Sequence, residues 1–216
     1  MNNFSLKEES QPSTINRTQM ATHPPPPAFS FTVPPSLSGF RVPMNTYLTT
    51  HDQHESAIAT GALVFDAQDR VLLVQRAAHD SMPNCWEIPG GAVDHDDATI
   101  LHGVARELWE ESGLKIKSVG KQVGDAYIFF TRRGLRVVKF TFVVEVETTE
   151  NVRLDPNEHQ KYLWASEEEC RSGSVAGEGS ERMEIKFTFP AQRAAVLKGF
   201  RLRKENEEGK VELNRS

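Results

Sequence analysis

Disulfide chemistry has little to work with in this chain: its 216 residues hold two cysteines, Cys85 and Cys170. That is too few for a disulfide framework, and the pair lacks the spacing of a zinc site, so reduced thiols in an intracellular protein are expected. An apolar leader is missing too. The start, MNNFSLKEES, has no hydrophobic stretch, and no later run approaches the roughly 20 residues that span a bilayer. Neither secretion nor membrane insertion is predicted, and a cytoplasmic location is expected. A transit peptide is disfavoured by Glu8 and Glu9 beside a single early arginine, Arg17. Excess positive charge is absent as well: Lys and Arg total 25 against 30 Asp and Glu, a formal net charge of -5. Such a balance gives no general attraction to nucleic acid or anionic lipid. A polyanionic ligand would have to be held locally, through a metal or an arginine.

The 38% of hydrophobic residues suffices for one buried core. Residues 1–50 carry the run Pro24 to Pro27 and the pair Pro34-Pro35 among many Ser, Thr and Asn, and read as a disordered or extended leader. The more apolar piece Phe29 to Val42 is a candidate arm lying back on the domain. Deleting the first 45 or so residues is expected to leave turnover nearly unchanged. The domain itself is placed at 55–203 and a charged tail at 204–216.

Within the domain, SAIATGALVFD, a turn at Ala67 to Asp69 and RVLLVQR predict a β-hairpin. A glycine-bearing loop from Ala77 to Val93 leads to a helix running from Asp97 or Thr99 to Ser112. Leu101, Val104 and Leu108 form its apolar stripe, and Gly113 supplies a left-handed stop. Two antiparallel strands, about Lys121 to Phe130 and Leu135 to Glu147, follow around the turn Thr131 to Gly134. Then come a strand HQKYLWA, a short acidic helix SEEEC, and a last helix from about Pro190 to Arg203.

The helix carries the chemistry. Glu107, Glu110 and Glu111 stand at i, i+3 and i+4, which brings their side chains together. Clustered carboxylates repel one another unless a cation sits among them, and all-oxygen sets suit the hard ions Mg²⁺ and Mn²⁺.

The text Arg106-Glu107-Leu108-x-Glu110-Glu111-x-Gly113-Leu114, with WEIPGG upstream and the Glu158 to Trp164 stretch downstream, resembles the Nudix hydrolases. The resemblance covers roughly Glu55 to Phe200. It implies an α+β fold, the α/β/α sandwich with a mixed β-sheet between helices, and a divalent-metal-dependent pyrophosphohydrolase. The substrate would be a small-molecule diphosphate or nucleotide: a nucleoside diphosphate linked to another moiety. Relatives also pair as homodimers, an open point for this chain. The implied metal ligands are Glu107, Glu110 and Glu111, with the Gly91 carbonyl. Arg106 would orient a helix carboxylate, and Glu111 or Glu158 would serve as base. One departure stands out. Counting from Gly91 reaches Asp97 where the family has Glu, with eight residues instead of seven before Arg106. Asp97 is read as a shortened substitute that caps the helix, and the departure keeps a second reading open, a nucleotide-binding module with little turnover.

For substrate contacts the residues suggest Arg76 as a phosphate grip, and Trp86, Tyr127 and Phe129 as a stacking wall. His159 reads as a packing histidine and Cys85 as a buried or loop thiol.

Overall fold

In the computed structural model, which describes residues 26–51, 54–176 and 182–213, the most heavily buried text is the aliphatic run of β1 (Ala57–Val64). A strand apolar on both faces must be covered on both. It pairs in parallel with β6 (Arg136–Val146), register Ala57↔Val137 to Val64↔Val144. The far edge of β6 takes two antiparallel neighbours, β4 (Ile116–Gln122) and β5 (Tyr127–Phe130). A second sheet has the order β3-β2-β7, from β2 (Val71–Arg76), β3 (Trp86–Glu87) and β7 (His159–Ala165). A small hairpin, β8 (Ser174–Ala176) with β9 (Arg182–Glu184), stands apart.

Helices cover both faces. α2 (Ile100–Ser112) buries Leu101, Val104 and Leu108 against Ile58, Ala62 and Val64 of β1; each such side chain contributes roughly 2 kcal/mol of apolar burial. Thr99 caps it, its Oγ1 accepting from the His102 N–H, and Gly113 ends it in the left-handed conformation. On the other face, Cys170 of α3 (Glu167–Ser172) and Val196 and Phe200 of α4 (Pro190–Leu213) pack on Leu63, Leu73 and Trp86. The layers are those of the α/β/α sandwich. A Ser166–Glu169 capping box starts α3.

The sequence reading needs correction at four places. The β1 and β2 texts form no hairpin ladder; they meet at one bridge, Phe65↔Val71, and enter different sheets. The strand expected from Lys121 to Phe130 is two, because Gly124 at φ 71° turns the chain between β4 and β5. The leader reading is corrected for residues 26–50: the arm expected at Phe29 to Val42 does lie back on the domain, and the packing extends through Tyr47. A 3₁₀ helix Pro35–Phe40 and α1 (Met44–Thr50) bury Leu37, Met44 and Tyr47 in the α2-side core, with Phe29, Phe31, Phe40 and Val42 packed beside them. Aromatic and aliphatic residues interleave the prolines there, which supplies the burial that composition alone hid. Residues 1–25, including the start of the proline run, lie outside the described residues. The tail expected from 204 instead continues α4 to Leu213.

Candidate active site

The glycine loop runs along the free edge of β1. The Thr60 and Ala62 N–H groups donate to the Gly91 and Pro89 carbonyls, 2.8 Å each, and the Val93 N–H donates to Ile58 O at 2.9 Å. Gly90 lies so close that a Cβ there would meet Thr60 O at 2.2 Å, and its φ is 146°; only glycine fits. This docking sets the loop against one face of α2. The Gly90 N–H donates to Glu111 Oε2 at 2.6 Å, and a Cβ on Gly91 would stand 2.6 Å from Glu107 Oε2.

Arg106 sorts the acids. Its Nη1 donates to Glu107 Oε1 and Glu110 Oε2, both at 2.9 Å. Nε and Nη2 grip the Asp97 carboxylate at 3.1 and 2.9 Å, and Nη2 also reaches the Ala92 carbonyl at 2.8 Å. Asp97 therefore anchors Arg106 and receives the Asp94 N–H at 2.8 Å; it is not the helix cap, a role that falls to Thr99.

The expected trio does not close on itself. Arg106 ties Glu110 away at a half-exposed position, and the ligand atoms that come within 4.8 Å of one another, among the described residues, belong to Glu111, Glu158 and His159. The chain turns at Asp155, whose carbonyl accepts from the Glu158 and His159 N–H groups, and delivers both residues at the start of β7. The Gly91 carbonyl, expected as a ligand, is the acceptor of the Thr60 N–H.

Around this group lies a cleft of about 300 Å³ lined by Arg76, Asp80, Gly90 to Ala92, Glu107, Glu111, Glu158 and His159. Burial drives the Glu111 carboxyl well above its ordinary pKa, helped by the charges of Glu107 and Glu87, against the opposing Gly90 N–H. Glu107 is pushed up to about 7 by burial, with Glu110 and Glu158 adding to the rise and Arg106 opposing it. Desolvation raises Glu158 as well, with Asp155 and Glu110 adding. Burial alone would raise Glu87 too, yet the His159 hydrogen bond and the charges of Arg76 and Lys139 hold it below the usual range. Acids so crowded and dry suit a divalent cation, which would reverse the penalty each carries. His159 fits the same set. Its Nε2 faces Glu87 Oε1 at 3.4 Å while its buried Nδ1 has no partner among the described residues, and a ring nitrogen anchored to a carboxylate leaves the other for a metal.

A second cavity, about 540 Å³, shares Arg76 and Gly90 to Ala92 with the first and adds Glu87. β5 and β6 line it with Tyr127, Phe129 and Lys139, and the segment before α4 with Thr188 and Phe189. Tyr127 and Phe129 thus stand where the sequence suggested, and Phe189, which it did not single out, stacks on Phe129 at 6.0 Å. Trp86 does not join the wall: it is 1% exposed in the opposite core, because alternation along β3 turns Glu87 to the site and Trp86 away. Arg76 is clamped, donating to Glu87 Oε1 at 2.5 Å and Asp80 Oδ2 at 2.6 Å. Cys85 and Cys170 are buried free thiols.

A family model described as the NUDIX domain matches residues 55–183. The m7GpppN-mRNA hydrolase NUDT17 of Homo sapiens is 28% identical over 137 residues, 56% of this chain and 41% of that protein, so the chain spans less than half of that relative. The CTP pyrophosphohydrolase of Escherichia coli is 29% identical over 134 residues, 62% of this chain and 94% of that one. Among solved structures, the MutT protein from Methanosarcina mazei Go1 superposes with TM-score 0.53 at 25% identity, covering 70% of this chain and 98% of the other. An Ap4A hydrolase from C. elegans gives the same TM-score at 15% identity, covering 69% and 98%, a likeness of fold.

Proposed function

Because the chain belongs to the NUDIX domain family, we propose that it is a metal-dependent pyrophosphohydrolase. It cleaves the phosphoanhydride of a nucleoside diphosphate linked to another moiety: a nucleoside triphosphate, a sugar nucleotide or a dinucleotide. The observation that carries this reading is the approach of Glu111, Glu158 and His159 to within 4.8 Å in a cleft continuous with an aromatic cavity. The shared floor, Arg76 and Gly90 to Ala92, gives the diphosphate its track between the two.

Glu111 and His159, with Glu107 alongside, would hold Mg²⁺ or Mn²⁺, which supplies charge neutralisation and a bound water of lowered pKa. The imidazole in the set favours Mn²⁺ more than an all-carboxylate site would. Glu158, the exposed member, takes the proton of the attacking water; its raised pKa suits a group that must accept a proton near neutrality. Arg106 keeps the carboxylates of Glu107 and Glu110 in place. Arg76, pre-oriented by Glu87 and Asp80, offers a fixed positive charge to the phosphates. The relatives' printed activities, on mRNA caps and on CTP, both fall on phosphoanhydrides of nucleotides.

Nucleotide hydrolysis followed across a panel with Mg²⁺, Mn²⁺ or chelator tests the reading. Turnover that needs the metal and falls at least about a hundredfold in Glu111→Gln is expected. Tight nucleotide binding without turnover would identify a binding module instead.

A further inference from the structure

The aromatic cavity has a polar end rich in hydrogen-bond donors. Lys139 of β6 lines it; the residue is 7% exposed, and its ammonium makes no hydrogen bond among the described residues. Thr188 is 5% exposed, and its Oγ1 is a buried polar atom without a partner. Gln192 of α4, which also lines the cavity, is 2% exposed, and its Oε1 accepts from the Ile88 N–H at 3.4 Å, so its amide N–H groups are what it has left to offer a ligand. The acid that shares the lining, Glu87, is hydrogen-bonded by Arg76 and His159 and acts on Lys139 through charge alone, as do Glu111 and Glu107. What remains is two donors, Lys139 and the Gln192 amide, with the Thr188 hydroxyl, which donates or accepts as its neighbour requires, beside an aromatic wall of Tyr127, Phe129 and Phe189.

Buried donors that find no acceptor cost free energy, so a ligand that supplies acceptors there is favoured. The wall prefers a flat ring, and the volume of about 540 Å³ suits a nucleoside-sized group. A keto-bearing base presents a carbonyl oxygen, an acceptor, where adenine presents an amino group, which would put a donor against the Lys139 and Gln192 donors.

We propose that this cavity selects nucleotides whose base carries a ring carbonyl, through Lys139, Thr188 and Gln192, and discriminates against adenine. The inference rests on the hydrolase reading for the position of the phosphates but not for its test. Inosine and adenosine differ at this edge by oxygen for amino, and neither carries a phosphate, so their binding can be measured without metal or turnover.

Calorimetric titration of the full chain in chelator with inosine, uridine and adenosine is the experiment. Inosine and uridine are expected to bind about ten- to a hundredfold more tightly than adenosine, the range one satisfied against one frustrated buried hydrogen bond would give. Thr188→Val, nearly isosteric, and Lys139→Met should each shrink that ratio toward one, with folding checked by thermal melting. In parallel, the ratio of kcat/KM for ITP over ATP should fall in the same variants. Equal affinities, tighter adenosine, no nucleoside binding at millimolar concentration, or a ratio untouched by both substitutions would overturn the proposal. Absent turnover with an intact inosine preference would count against the hydrolase reading alone.

Discussion

Arg106 decides where its neighbours' carboxylates point. Helical spacing puts Glu107 and Glu110 within reach of each other, but the guanidinium between them, itself anchored on Asp97, converts mutual repulsion into a fixed fan. Arg106→Gln should lower metal affinity and turnover about ten- to a hundredfold, as loss of a supporting contact around metal ligands does. Arg106→Lys should recover little, since one ammonium cannot bridge three acids; full recovery in a metal titration would refute the clamp. Glu107 gives a second expectation. Its folded-state pKa, pushed up to about 7 against 4.5 for the free side chain, means the folded protein holds that proton more tightly than the unfolded chain. Metal-free stability contributed by this group is therefore greatest below the free value and is lost as pH climbs through about 7, by up to about 3 kcal/mol. Denaturant unfolding in chelator at about pH 5 and about pH 8 should show this fall, and Glu107→Gln should flatten it; parallel curves would contradict the assignment. At this scale the helix acids were legible from spacing. Glu158 and His159 were not joined to Glu111 by any local pattern, because the loop at Asp155 that brings them back is a long-range contact.

Each element takes its place from which face it must bury. α2 was readable in extent, since a 3.6-residue apolar stripe and a glycine stop agree with one another, while its cap is Thr99 and not Asp97. Strand text was readable as strand but not as sheet: alternation does not say which edge a strand will find, so β1 and β2 look like a hairpin and are not. Leader and core differ by interleaved aromatics more than by proline content, and here the consequence is testable. Deleting residues 1–50 removes Leu37, Met44 and Tyr47 from the core, at about 1.5–3 kcal/mol for each buried side chain. A drop in melting temperature of more than about 10 °C is expected, in contrast to the near-neutral effect that composition suggested. A truncated chain melting within about 2 °C of the full one would show the arm to be dispensable.

Across the whole molecule, the two sheets meet at the site. Sheet one contributes Lys139, Tyr127 and Phe129; sheet two contributes Arg76, Glu87 and His159; α2 and the glycine loop close the gap. No helix among the described residues is long and apolar enough to cross a membrane. Since the ligand groups come from several elements, metal binding should stabilise the fold as a unit: at a hundred times Kd it adds about 2.7 kcal/mol, seen as a raised melting temperature with Mn²⁺ and not with Na⁺. The most direct test of the account is calorimetric titration of Mn²⁺ into the wild type and into Glu111→Gln and His159→Gln. Saturable uptake by the wild type, weakened at least about tenfold in both variants, is predicted. Undetectable uptake, or uptake that neither substitution weakens, would contradict it.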